Sequence, residues 1–378
     1  MSKSTFLEKL LDGAGAEWVP LQKLVKTLTA AAKIQRGKYE TVGDIPVIDQ
    51  GADFIAGYTD KGNKATELGQ YVIFGDHTEH VKYVDFIFAQ GADGLKILQP
   101  ISSNPKYIYY AFQTFYTKEF QYKRHWSKAK DTEIPIPCPE NPEKSLAIQA
   151  EIVRILDTFT ELTTELTTEL TARTKQYNYY RDQLLTFEDG DVEWKELGNV
   201  TEINTGQKPS EILESATDFD YINAGTSRSG YSANSNCEGD IVTTPSRGQG
   251  GIGYVGYQKE PFWLGALCYK MKSKDKDFLI NKYLYYFLQS KSELLLGLKK
   301  EGGVPAVNKT DLAKLQIPVP SPSEQARIVA ILDKFDTLTH SISEGLPREI
   351  EQRQKQYEYY RDLLLSFPKP EAQMEKVA

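Results

Sequence analysis

The sequence predicts an α+β protein: two mixed α/β domains separated by two long helices that form an antiparallel coiled coil, with a pseudo-twofold internal repeat. Three observations predict this fold class. Two blocks of sequence recur about 180 residues apart. Each block has apolar residues at steps of three and four, the spacing of a coiled-coil helix. The stretches between the blocks contain short runs of β-branched and aromatic residues bounded by glycine, aspartate or proline, which indicate strands.

The internal repeat spans both halves of the chain. Its matched segments are QAEIVRILD (149–157) with QARIVAILD (325–333), KQYNYYRDQLL (175–185) with KQYEYYRDLLL (355–365), IPIPCP (134–139) with IPVPSP (317–322), and Glu17-Trp18 with Glu193-Trp194. The order is the same in both halves, so the sequence predicts a tandem duplication. The chain begins where its own repeat would continue after Leu364-Leu365. We therefore expect a closed, pseudo-twofold arrangement with the two chain ends near one another.

The first repeated block, residues 143–190, is predicted to be a central spacer helix. Its apolar positions recur over about forty residues, and at 1.5 Å per residue such a helix is about 60 Å long. It contains three copies of a four-residue unit, TELTTELTTELT (160–171), with a ladder of leucines at 162, 166 and 170. Threonine is a mediocre helix former. We therefore expect this stretch to owe its helicity to a packed partner.

The second repeated block, residues 323–370, is predicted to be that partner, a C-terminal spacer helix followed by a tail at 371–378. We expect Gly345-Leu346-Pro347 to kink or break it, because proline clashes with the preceding turn. The pairs Tyr179-Tyr180 and Tyr359-Tyr360 lie at helical spacing beside leucines. We expect them to be packing residues rather than exposed rings that stack on bases.

The variable stretches, residues 1–142 and 191–322, are predicted to be the two mixed α/β domains. The predicted strands are Gln70–Phe74, Tyr83–Ala89, Asp240–Thr243, Gly253–Tyr257 and Trp263–Met271. Each domain also has an aromatic helical piece, Lys106–Tyr116 in the first and Asn281–Leu298 in the second. An Ile-Pro-x-Pro segment follows each helical piece and leads into the spacer.

The composition is that of an ordinary globular chain, with 40% hydrophobic and 26% charged residues. No stretch approaches the ~18 uninterrupted apolar residues that a membrane span needs, and the first residues lack a signal-peptide pattern. Cys138, Cys237 and Cys268 are too few and too scattered for a disulfide framework or a zinc cluster. We therefore expect a soluble, cytoplasmic protein.

The net charge of −7 is unevenly distributed along the chain. Residues 140–191 contain 11 acidic and 5 basic residues, whereas residues 21–130 contain 15 basic and 11 acidic ones. Residues 195–316, with 15 basic and 14 acidic residues, are close to neutral. Because the acidity lies mainly in one spacer, the overall charge does not exclude nucleic acid as a partner.

The repeated blocks resemble the helical regions of type I restriction–modification specificity subunits. The segments that carry this resemblance are QARIVAILD (325–333), KQYEYYRDLLLSFPK (355–369) and the Thr-Glu-Leu-Thr ladder. In the variable domains, GDHTEHVKYVDFIFAQGADG (75–94) and PFWLGALCY (261–269) are similar to parts of the target-recognition domains of that family. The resemblance covers essentially the whole chain, and its long repeated matches are more specific than its domain motifs.

This resemblance implies a non-catalytic, sequence-specific DNA-binding subunit. Each target-recognition domain would read one half of a split target in double-stranded DNA, and the helices would act as a ruler and a docking surface. The implied partners are two modification (methyltransferase) subunits, which carry S-adenosylmethionine and methylate adenine, and restriction subunits, which translocate and cleave DNA. The resemblance implies no cofactor in this chain and no membrane partner.

The candidate DNA-binding residues of the first domain are Lys33, Arg36, Lys38, His77, Thr78, Lys123 and Arg124. The basic residues, with Lys128 and Lys130 nearby, are expected to contact phosphates, the alternative being a solvated helix face. Asp76, His77, Glu79 and His80 could suggest a metal site, but the chain has only 4 histidines and no further ligand cluster. The family resemblance implies instead that the loop Gly75-Asp76-His77-Thr78 reaches DNA.

The candidates of the second domain are Lys208, Arg228, Ser246, Arg247, Gln249, Asn308 and Lys309. Residues 247–253, RGQGGIG, contain a literal G-x-G-x-x-G, but a dinucleotide site needs a helix there and the following residues predict a strand. We interpret them as a glycine-rich turn in which Ser246, Arg247 and Gln249 donate to DNA, the alternative being an ordinary exposed hairpin. Asn308 and Lys309, near Lys299 and Lys300, are expected to clamp the DNA backbone.

Two other functions account for less of the sequence. A self-sufficient DNA methyltransferase or nuclease needs an Asn/Asp-Pro-Pro-Tyr-type motif or a carboxylate–lysine cluster with a metal, and we find neither pattern in the sequence. A coiled-coil scaffold without a nucleic-acid role accounts for the helices but not for two different glycine-rich domains on a duplicated frame. Two divergent domains on nearly identical spacers favour a protein that reads two half-sites.

Overall fold

A computed structural model of the chain describes residues 15–29, 33–62, 65–91, 94–188, 190–215, 219–248, 250–300 and 305–369. These residues form two compact units. The first unit contains the described residues up to Glu165 together with those from Glu351 onward, and the second runs from Leu166 to Ile350. Each unit therefore holds one variable domain together with parts of both long helical blocks.

The first domain is built on a four-stranded antiparallel sheet. Its elements are β1 (Ala16–Pro20), α1 (Leu21–Leu24), β2 (Val25–Leu28), a 3-10 turn (Arg36–Lys38), β3 (Ile45–Ile48), β4 (Gly57–Thr59), β5 (Tyr71–Gly75), β6 (Val81–Val84), β7 (Ala89–Gln90), β8 (Leu95–Pro100), α2 (Pro105–Phe115), α3 (Trp126–Ala129) and β9 (Glu133–Pro137). The main sheet has the order β2-β8-β5-β6, a smaller sheet has the order β4-β3-β7, and β1 pairs with β9.

The second domain has the same topology on a different sequence. Its elements are β10 (Glu193–Glu196), α5 (Leu197–Val200), β11 (Thr201–Thr205), β12 (Phe219–Ile222), β13 (Tyr231–Ser232), β14 (Ile241–Pro245), β15 (Gly256–Gln258), β16 (Trp263–Leu264), β17 (Cys268–Ser273), α6 (Asn281–Ser290), α7 (Ser292–Gly297), α8 (Lys309–Ala313) and β18 (Gln316–Val319). The sheets have the orders β11-β17-β14-β15, β13-β12-β16 and β10-β18. Strand β5 of the first domain therefore corresponds to β14 of the second.

Strand β5 lies at the centre of the first domain because both of its faces are covered. All five of its residues are buried. Val72 and Phe74 belong to the cluster that includes the helix α2, whereas Tyr71 and Ile73 belong to a second cluster that includes Phe88. Successive residues of a strand point to opposite faces. A strand with two cores therefore appears in the sequence as a continuous apolar run, and the same is true of the fully buried β14.

Two of the five predicted strands are confirmed closely, and three are wrong in part. Gln70–Phe74 and Asp240–Thr243 correspond to β5 and β14. Tyr83–Ala89 and Trp263–Met271 each contain a crossing from one sheet to another, from β6 to β7 and from β16 to β17. Gly253–Tyr257 becomes a strand only at Gly256, because a turn precedes it. Aromatic and branched residues continue through these crossings although Asp85, Ile87 and Leu267 are exposed there, so the residue types conceal them.

The aromatic helices contain a part of the internal repeat that the motif comparison missed. KYIYYAFQ (106–113) in α2 matches KYLYYFLQ (282–289) in α6. The phenol of Tyr107 donates to the carbonyl oxygen of Pro135 at 2.6 Å, and that of Tyr283 donates to Pro318 at 3.0 Å. Each aromatic helix is thus anchored to the Ile-Pro strand of its domain. The predicted helix Asn281–Leu298 is divided at Lys291, where α6 ends and α7 begins.

The central spacer is one continuous helix of 43 residues, α4 (Pro142–Leu184). It begins where Asn141 accepts a hydrogen bond from the Lys144 amide at 3.0 Å and where proline occupies the first helical position. The Thr-Glu-Leu-Thr units lie entirely inside it, which confirms their helical prediction. In several of them the hydroxyl donates to the carbonyl four residues earlier, as from Thr164 to Thr160 at 2.8 Å. Leu162 remains 37% exposed, so this part of the ladder is less buried than a coiled-coil seam.

The second spacer is broken, as predicted, into α9 (Pro322–His340) and α10 (Gly345–Leu364). The break precedes Pro347, which lies in the first turn of α10, where a proline is tolerated because that amide needs no helical partner. The residue that permits the break is Gly345, whose φ is +74°. A Cβ atom there would lie 2.3 Å from the carbonyl oxygen of Thr337, so only glycine fits.

Within each unit the two spacers pack antiparallel through a matching pair of stacked rings. Phe159 stacks on Tyr360 with 5.2 Å between ring centroids in the first unit. Phe335 stacks on Tyr180 at 5.8 Å in the second. Tyr180 and Tyr360 therefore pack between the spacers as predicted, although they remain 39% and 40% exposed. Their neighbours at 179 and 359 are 59% and 48% exposed, so the packing prediction is wrong for one member of each pair.

The last described residues pack against the beginning of the first domain. Leu364, Leu365 and Phe367 belong to the same buried cluster as Trp18. The indole nitrogen of Trp18 donates to the carbonyl oxygen of Pro368 at 3.0 Å, and the Lys369 ammonium lies 4.5 Å from the Trp18 ring centroid. The predicted proximity of the two ends is therefore confirmed for the described residues, and residues 1–14 and 370–378 lie outside them.

The glutamine that opens each repeated QA-x-IV segment holds the start of an aromatic helix. Gln149 accepts from the Asn104 amide at 2.8 Å and donates to the Ser145 hydroxyl. Gln325 accepts from the Ile280 amide at 2.8 Å. Its side-chain amide also donates to the carbonyl oxygens of Phe278 and Pro320, at 2.9 and 2.8 Å. The second glutamine therefore satisfies three backbone groups and the first satisfies one.

We expect Gln325→Leu to lower the free energy of unfolding by about 3–9 kcal/mol, because three backbone groups lose their partner, and Gln149→Leu by about 1–3 kcal/mol. The reason is that each buried backbone group left without a partner costs about 1–3 kcal/mol. The urea midpoints of the two variants and the unchanged chain measure the difference. Equal losses for both glutamines would contradict this account.

Candidate nucleic-acid interface

The two turns singled out in the sequence occupy the same place in the two domains. Residues Asp76–Glu79 follow β5, and residues Ser246–Gly253 follow β14, which is the corresponding strand of an equivalent sheet. Each turn is also hydrogen-bonded to the segment that lies between the aromatic helix and the Ile-Pro strand. The structure thus brings together, within each domain, candidates that are far apart in the sequence.

In the first domain the turn is held in place by Gln50. The side-chain oxygen of Gln50 accepts a hydrogen bond from the His77 amide at 3.2 Å. The backbone carbonyl oxygen of Gln50 accepts one from the Thr78 hydroxyl. Thr78 is exposed and His77 is half-buried. The His77 ring stacks on Tyr122, with ring centroids 5.5 Å apart and planes inclined by 29°. The Thr78 side chain is therefore at the surface but already has a protein partner.

Residues 117–125, which we call the aromatic arm, are fastened to this turn at both ends. At one end the Glu79 carboxylate accepts from the amides of Glu119 and Phe120 at 2.9 and 2.8 Å. It also accepts from the Tyr116 phenol at 2.6 Å. At the other end the carbonyl oxygen of Asp76 accepts from the His125 amide at 2.8 Å. The arm carries the candidates Lys123 and Arg124, so it meets the turn that carries the candidates His77 and Thr78.

The Glu79 carboxylate is charged although it is only 2% exposed. Burial raises the pKa of this carboxyl, but the hydrogen bonds from Tyr116, Glu119 and Phe120, together with His125, outweigh burial and bring the pKa below its ordinary value. A buried carboxylate is stable only when donors satisfy it in this way. Glu79 therefore ties the arm to the turn as an anion at neutral pH.

The basic residues of the arm and of α3 keep their charges at the surface. Lys123 and Lys128 pair with Glu119 at 2.8 and 3.1 Å and lower the pKa of that half-buried carboxyl to about 2. Both lysines are about half exposed, and Arg124 is exposed. Exposed pairs of this kind are weak, so the lysines can exchange the carboxylate for a phosphate at little cost. Residues 118–130 contain five Lys or Arg residues and one acid.

The other basic cluster of the first domain, Lys33, Arg36 and Lys38, is exposed at the surface. Lys33 pairs with Gln90 beside the smaller sheet, and Arg36 and Lys38 lie on the 3-10 turn. These positions fit contacts to phosphates, which remain a prediction.

In the second domain the glycine-rich turn adopts the backbone that its sequence predicts. Gly248, Gly250 and Gly253 have φ values of +116°, +86° and +94°. A Cβ atom at Gly251 would lie 2.1 Å from the carbonyl oxygen of Ala224, so the chain passes too close for any side chain. No helix begins among the described residues of this turn, and Gly256 opens a strand. This geometry favours a tight turn over a dinucleotide site.

Arg247 is exposed on a backbone that is held on both sides. The Gly248 amide donates to the carbonyl oxygen of Pro305 at 3.1 Å, and Arg247 forms a bridge with Ala306. Ser246 before it is buried, so its hydroxyl could reach DNA only if the turn opened. Gln249 lies outside the described residues. Of the three predicted donors of this turn, Arg247 alone is described at the surface.

The exposed Asn308 and Lys309 lie directly after the residues that hold this turn. Lys309 donates to the Asn204 side chain at 3.1 Å, at the end of β11. Lys208 is exposed three residues beyond that strand. Arg228 is engaged elsewhere, because its guanidinium pairs with Asp220 at 3.3 Å and lies 4.7 Å from the Tyr231 ring centroid. The structure therefore groups Arg247 with Asn308 and Lys309, and gives Arg228 local partners.

The metal alternative finds no support in the part of the chain that is described, where no three His, Cys, Asp or Glu side chains are grouped to hold an ion. Asp76 and Glu79 serve instead as acceptors for backbone amides. The three cysteines are buried and form no disulfide. Burial raises the pKa of the Cys268 thiol to about 12, which makes it unreactive.

Sequence reasoning missed three residues of this interface. The sequence suggests Glu79 only as a member of a metal cluster. It gives no indication that Phe120 or Gln50 belongs to a DNA interface. Glu79 and Phe120 have positive φ values of +57° and +55°, which are uncommon for residues other than glycine. No pattern in the sequence reveals such a backbone at a glutamate or a phenylalanine. The net positive charge of residues 118–130 is the feature of the sequence that indicates a DNA interface at this segment.

The two domains share one topology, and each has basic side chains at the surface beside the turn. Together with the long helices, this arrangement is typical of a protein that reads DNA in two places. The family model described as "Type I restriction modification DNA specificity domain" matches residues 17–176 and 190–352. The chain therefore belongs to the family of type I restriction–modification specificity subunits. Such subunits are the DNA-recognition components of these systems and not the catalytic ones.

Individual relatives match over nearly their whole length. The chain is 42% identical to the EcoR124I/EcoR124II specificity subunit of Escherichia coli, over 98% of this chain and 99% of that protein. It is 32% identical to a putative specificity subunit of Haemophilus influenzae, over 96% and 98%. A crystal structure of the type I S subunit from M. genitalium superposes with a TM-score of 0.68 at 18% identity, over 95% and 98% of the two chains. That structure supports the fold alone.

Among the described residues, the helices lack the combination of length and apolar character that crossing a bilayer requires.

Proposed function

We propose that the chain reads a bipartite DNA target, with one half-site for each domain, and directs modification and restriction subunits to it. The observation that carries this proposal is that the two domains share their anchoring contacts but differ in the sequence of the turn at the same position. The Gln, Tyr and Ile-Pro anchors of the two domains match, whereas the turns at the same position differ: His77-Thr78 in one and Arg247-Gly248 in the other. A repeated frame with different turns supports the reading of two different sequences.

The partners follow from family membership. We infer that two modification subunits bind the chain, carry S-adenosylmethionine and methylate adenine, and that restriction subunits then join to translocate and cleave DNA. The chain itself would need no cofactor in this division of labour. The complex would work in the cytoplasm, where its DNA is.

The test is a gel shift and a methylation assay with and without a purified modification subunit. We expect the isolated chain to bind DNA weakly and to methylate nothing, and the complex to bind one bipartite target and methylate its adenines. Methylation by the purified single chain, with the partner rigorously absent, would overturn the proposal. A complex that binds no DNA would instead support a scaffold without a nucleic-acid role.

A further inference from the structure

The aromatic arm exposes two large rings, of which one, Tyr122, has a single ring contact among the described residues, with His77. Phe120 is 88% exposed and Tyr122 is 91% exposed. Both belong to a segment whose ends are fastened to the turn at Asp76–Glu79. Exposing an apolar ring to water is unfavourable, and a binding partner removes that cost. A rigidly presented pair of rings is therefore a candidate contact surface.

The backbone of the arm is strained where the first ring is presented. Phe120 has a φ of +55°, a conformation that a bulky residue adopts only when its surroundings impose it. The constraint comes from Glu79, which accepts the Phe120 amide at 2.8 Å and itself has a φ of +57°. Farther along, the carbonyl oxygen of Gln121 lies 2.7 Å from the Nε2 atom of the fully buried His125. Tyr122 then stacks on His77.

The charge around the rings points to one kind of partner. Five Lys or Arg residues and one acid lie between 118 and 130, and the arm adjoins the turn that corresponds to the Arg247 turn of the second domain. A cationic rim around apolar rings matches a DNA groove, whose edges are phosphates and whose floor offers thymine methyl groups and sugar edges. A neutral or basic protein surface would not match this cationic rim.

We propose that Phe120 and Tyr122 enter a groove of the half-site read by the first domain, and that Glu79 is the residue that positions them. This inference rests on the proposed function and deepens it, because it assigns recognition contacts to particular side chains. The rings contact bases and sugars, while Lys123 and Arg124 contact the flanking phosphates. Glu79 does not touch DNA; its carboxylate keeps the arm in the presenting conformation.

The experiment uses the complex of the full chain with its modification subunits. The affinity of Phe120→Ala/Tyr122→Ala is measured on the duplex that the unchanged complex methylates and on a duplex with the first half-site scrambled. We expect the affinity for the target to fall about 10- to 100-fold. The slope of log affinity against log salt should stay the same, because no cation is lost. Methylome sequencing should show relaxed bases in one half-site only.

The matched control is Leu68→Ala. Leu68 is 72% exposed and precedes β5, so it lies at the opposite end of that strand from the turn. We expect its affinity to stay within about twofold of the unchanged complex, as for an exposed surface site.

Glu79→Gln tests the positioning role. The change removes one acceptor and the charge, and it should weaken target binding in the unchanged chain but add little to Phe120→Ala/Tyr122→Ala. A merely structural role for Glu79 would lower the affinity equally in both backgrounds, which a double-mutant cycle detects.

Three outcomes are distinguishable. Unchanged target affinity of Phe120→Ala/Tyr122→Ala overturns this inference and leaves the proposed function intact. Weaker assembly with the modification subunits, at normal DNA affinity of the assembled complex, also overturns it and assigns the rings to a protein interface. An unchanged complex that does not distinguish target from scrambled DNA overturns the proposed function itself.

Discussion

Deletion of Thr164–Thr167 is expected to shorten the unread gap between the two half-sites by one to two base pairs and to leave the bases of both half-sites unchanged. The deletion removes one Thr-Glu-Leu-Thr unit from the interior of α4, which is helical through all three units. Four residues shorten the helix by about 6 Å and change its phase by about 40°. A base pair advances about 3.4 Å and turns about 35°.

The phase change thus matches one base pair, and the length change lies between one and two. The threonine hydroxyls that donate to carbonyls four residues back keep their partners when a whole unit is removed, because the register of four is retained. The helix should therefore remain continuous. Insertion of one further unit should lengthen the gap by the same amount.

Methylome sequencing of cells that express each variant with its modification partner measures the gap directly. The length-preserving control is Thr164→Ala/Thr167→Ala, which alters side chains of the same unit and should leave the gap unchanged. An active deletion complex with the original gap would show that the break between α9 and α10 absorbs the change in length. Altered bases within a half-site would show that reading and spacing are not separate.

Arg247→Ala is expected to weaken or relax recognition at one half-site by about 1–3 kcal/mol if the guanidinium reads a base, with the other half-site unaffected. The backbone on both sides of Arg247 is hydrogen-bonded, through Ser246 to Leu267 and through Gly248 to Pro305. The side chain is exposed on this fixed backbone. Such preorganisation lowers the entropy lost on binding, so truncation of the side chain should be costly.

The measurements are the affinity of the assembled complex for its target and the methylated motif in cells. Lys259→Ala is a suitable control, because Lys259 is exposed and the pairing of Ile241 with Gln258 sets it at the far end of the sheet from Arg247. We expect this variant to bind normally and to keep the motif. If Arg247→Ala keeps both the affinity and the motif, the glycine-rich turn does not touch DNA.

The fold class and the order of elements could be predicted because the same order of segments recurs in both halves of the chain. The spacer helices follow from steps of three and four, and the break near Gly345 follows from the residues Gly-Leu-Pro. The strands were predicted less well where the chain crosses between two buried sheets, as after β6. Aromatic and branched residues continue through this crossing although Asp85 and Ile87 are exposed, so periodicity alone does not locate it.

The candidate site was predictable only as a set of separate residues. The sequence indicated the turn at His77 and the basic residues at Lys123 and Arg124, but not that they meet. Their meeting depends on Glu79, which binds amides about forty residues away. A local pattern contains no information about such a partner, because a buried glutamate and an exposed one look alike in the sequence.

The sequence by itself therefore determined the duplicated frame, the continuous helix that contains the Thr-Glu-Leu-Thr units and the break in its counterpart. These features depend on contacts between neighbours three or four residues apart, or on the fixed geometry of proline and glycine. The tertiary structure alone decided that residues 364–369 cover Trp18, that Gln149 and Gln325 hold the aromatic helices, and that Glu79 presents the arm. Those features require buried polar groups to find partners across long stretches of chain, which only the folded core brings together.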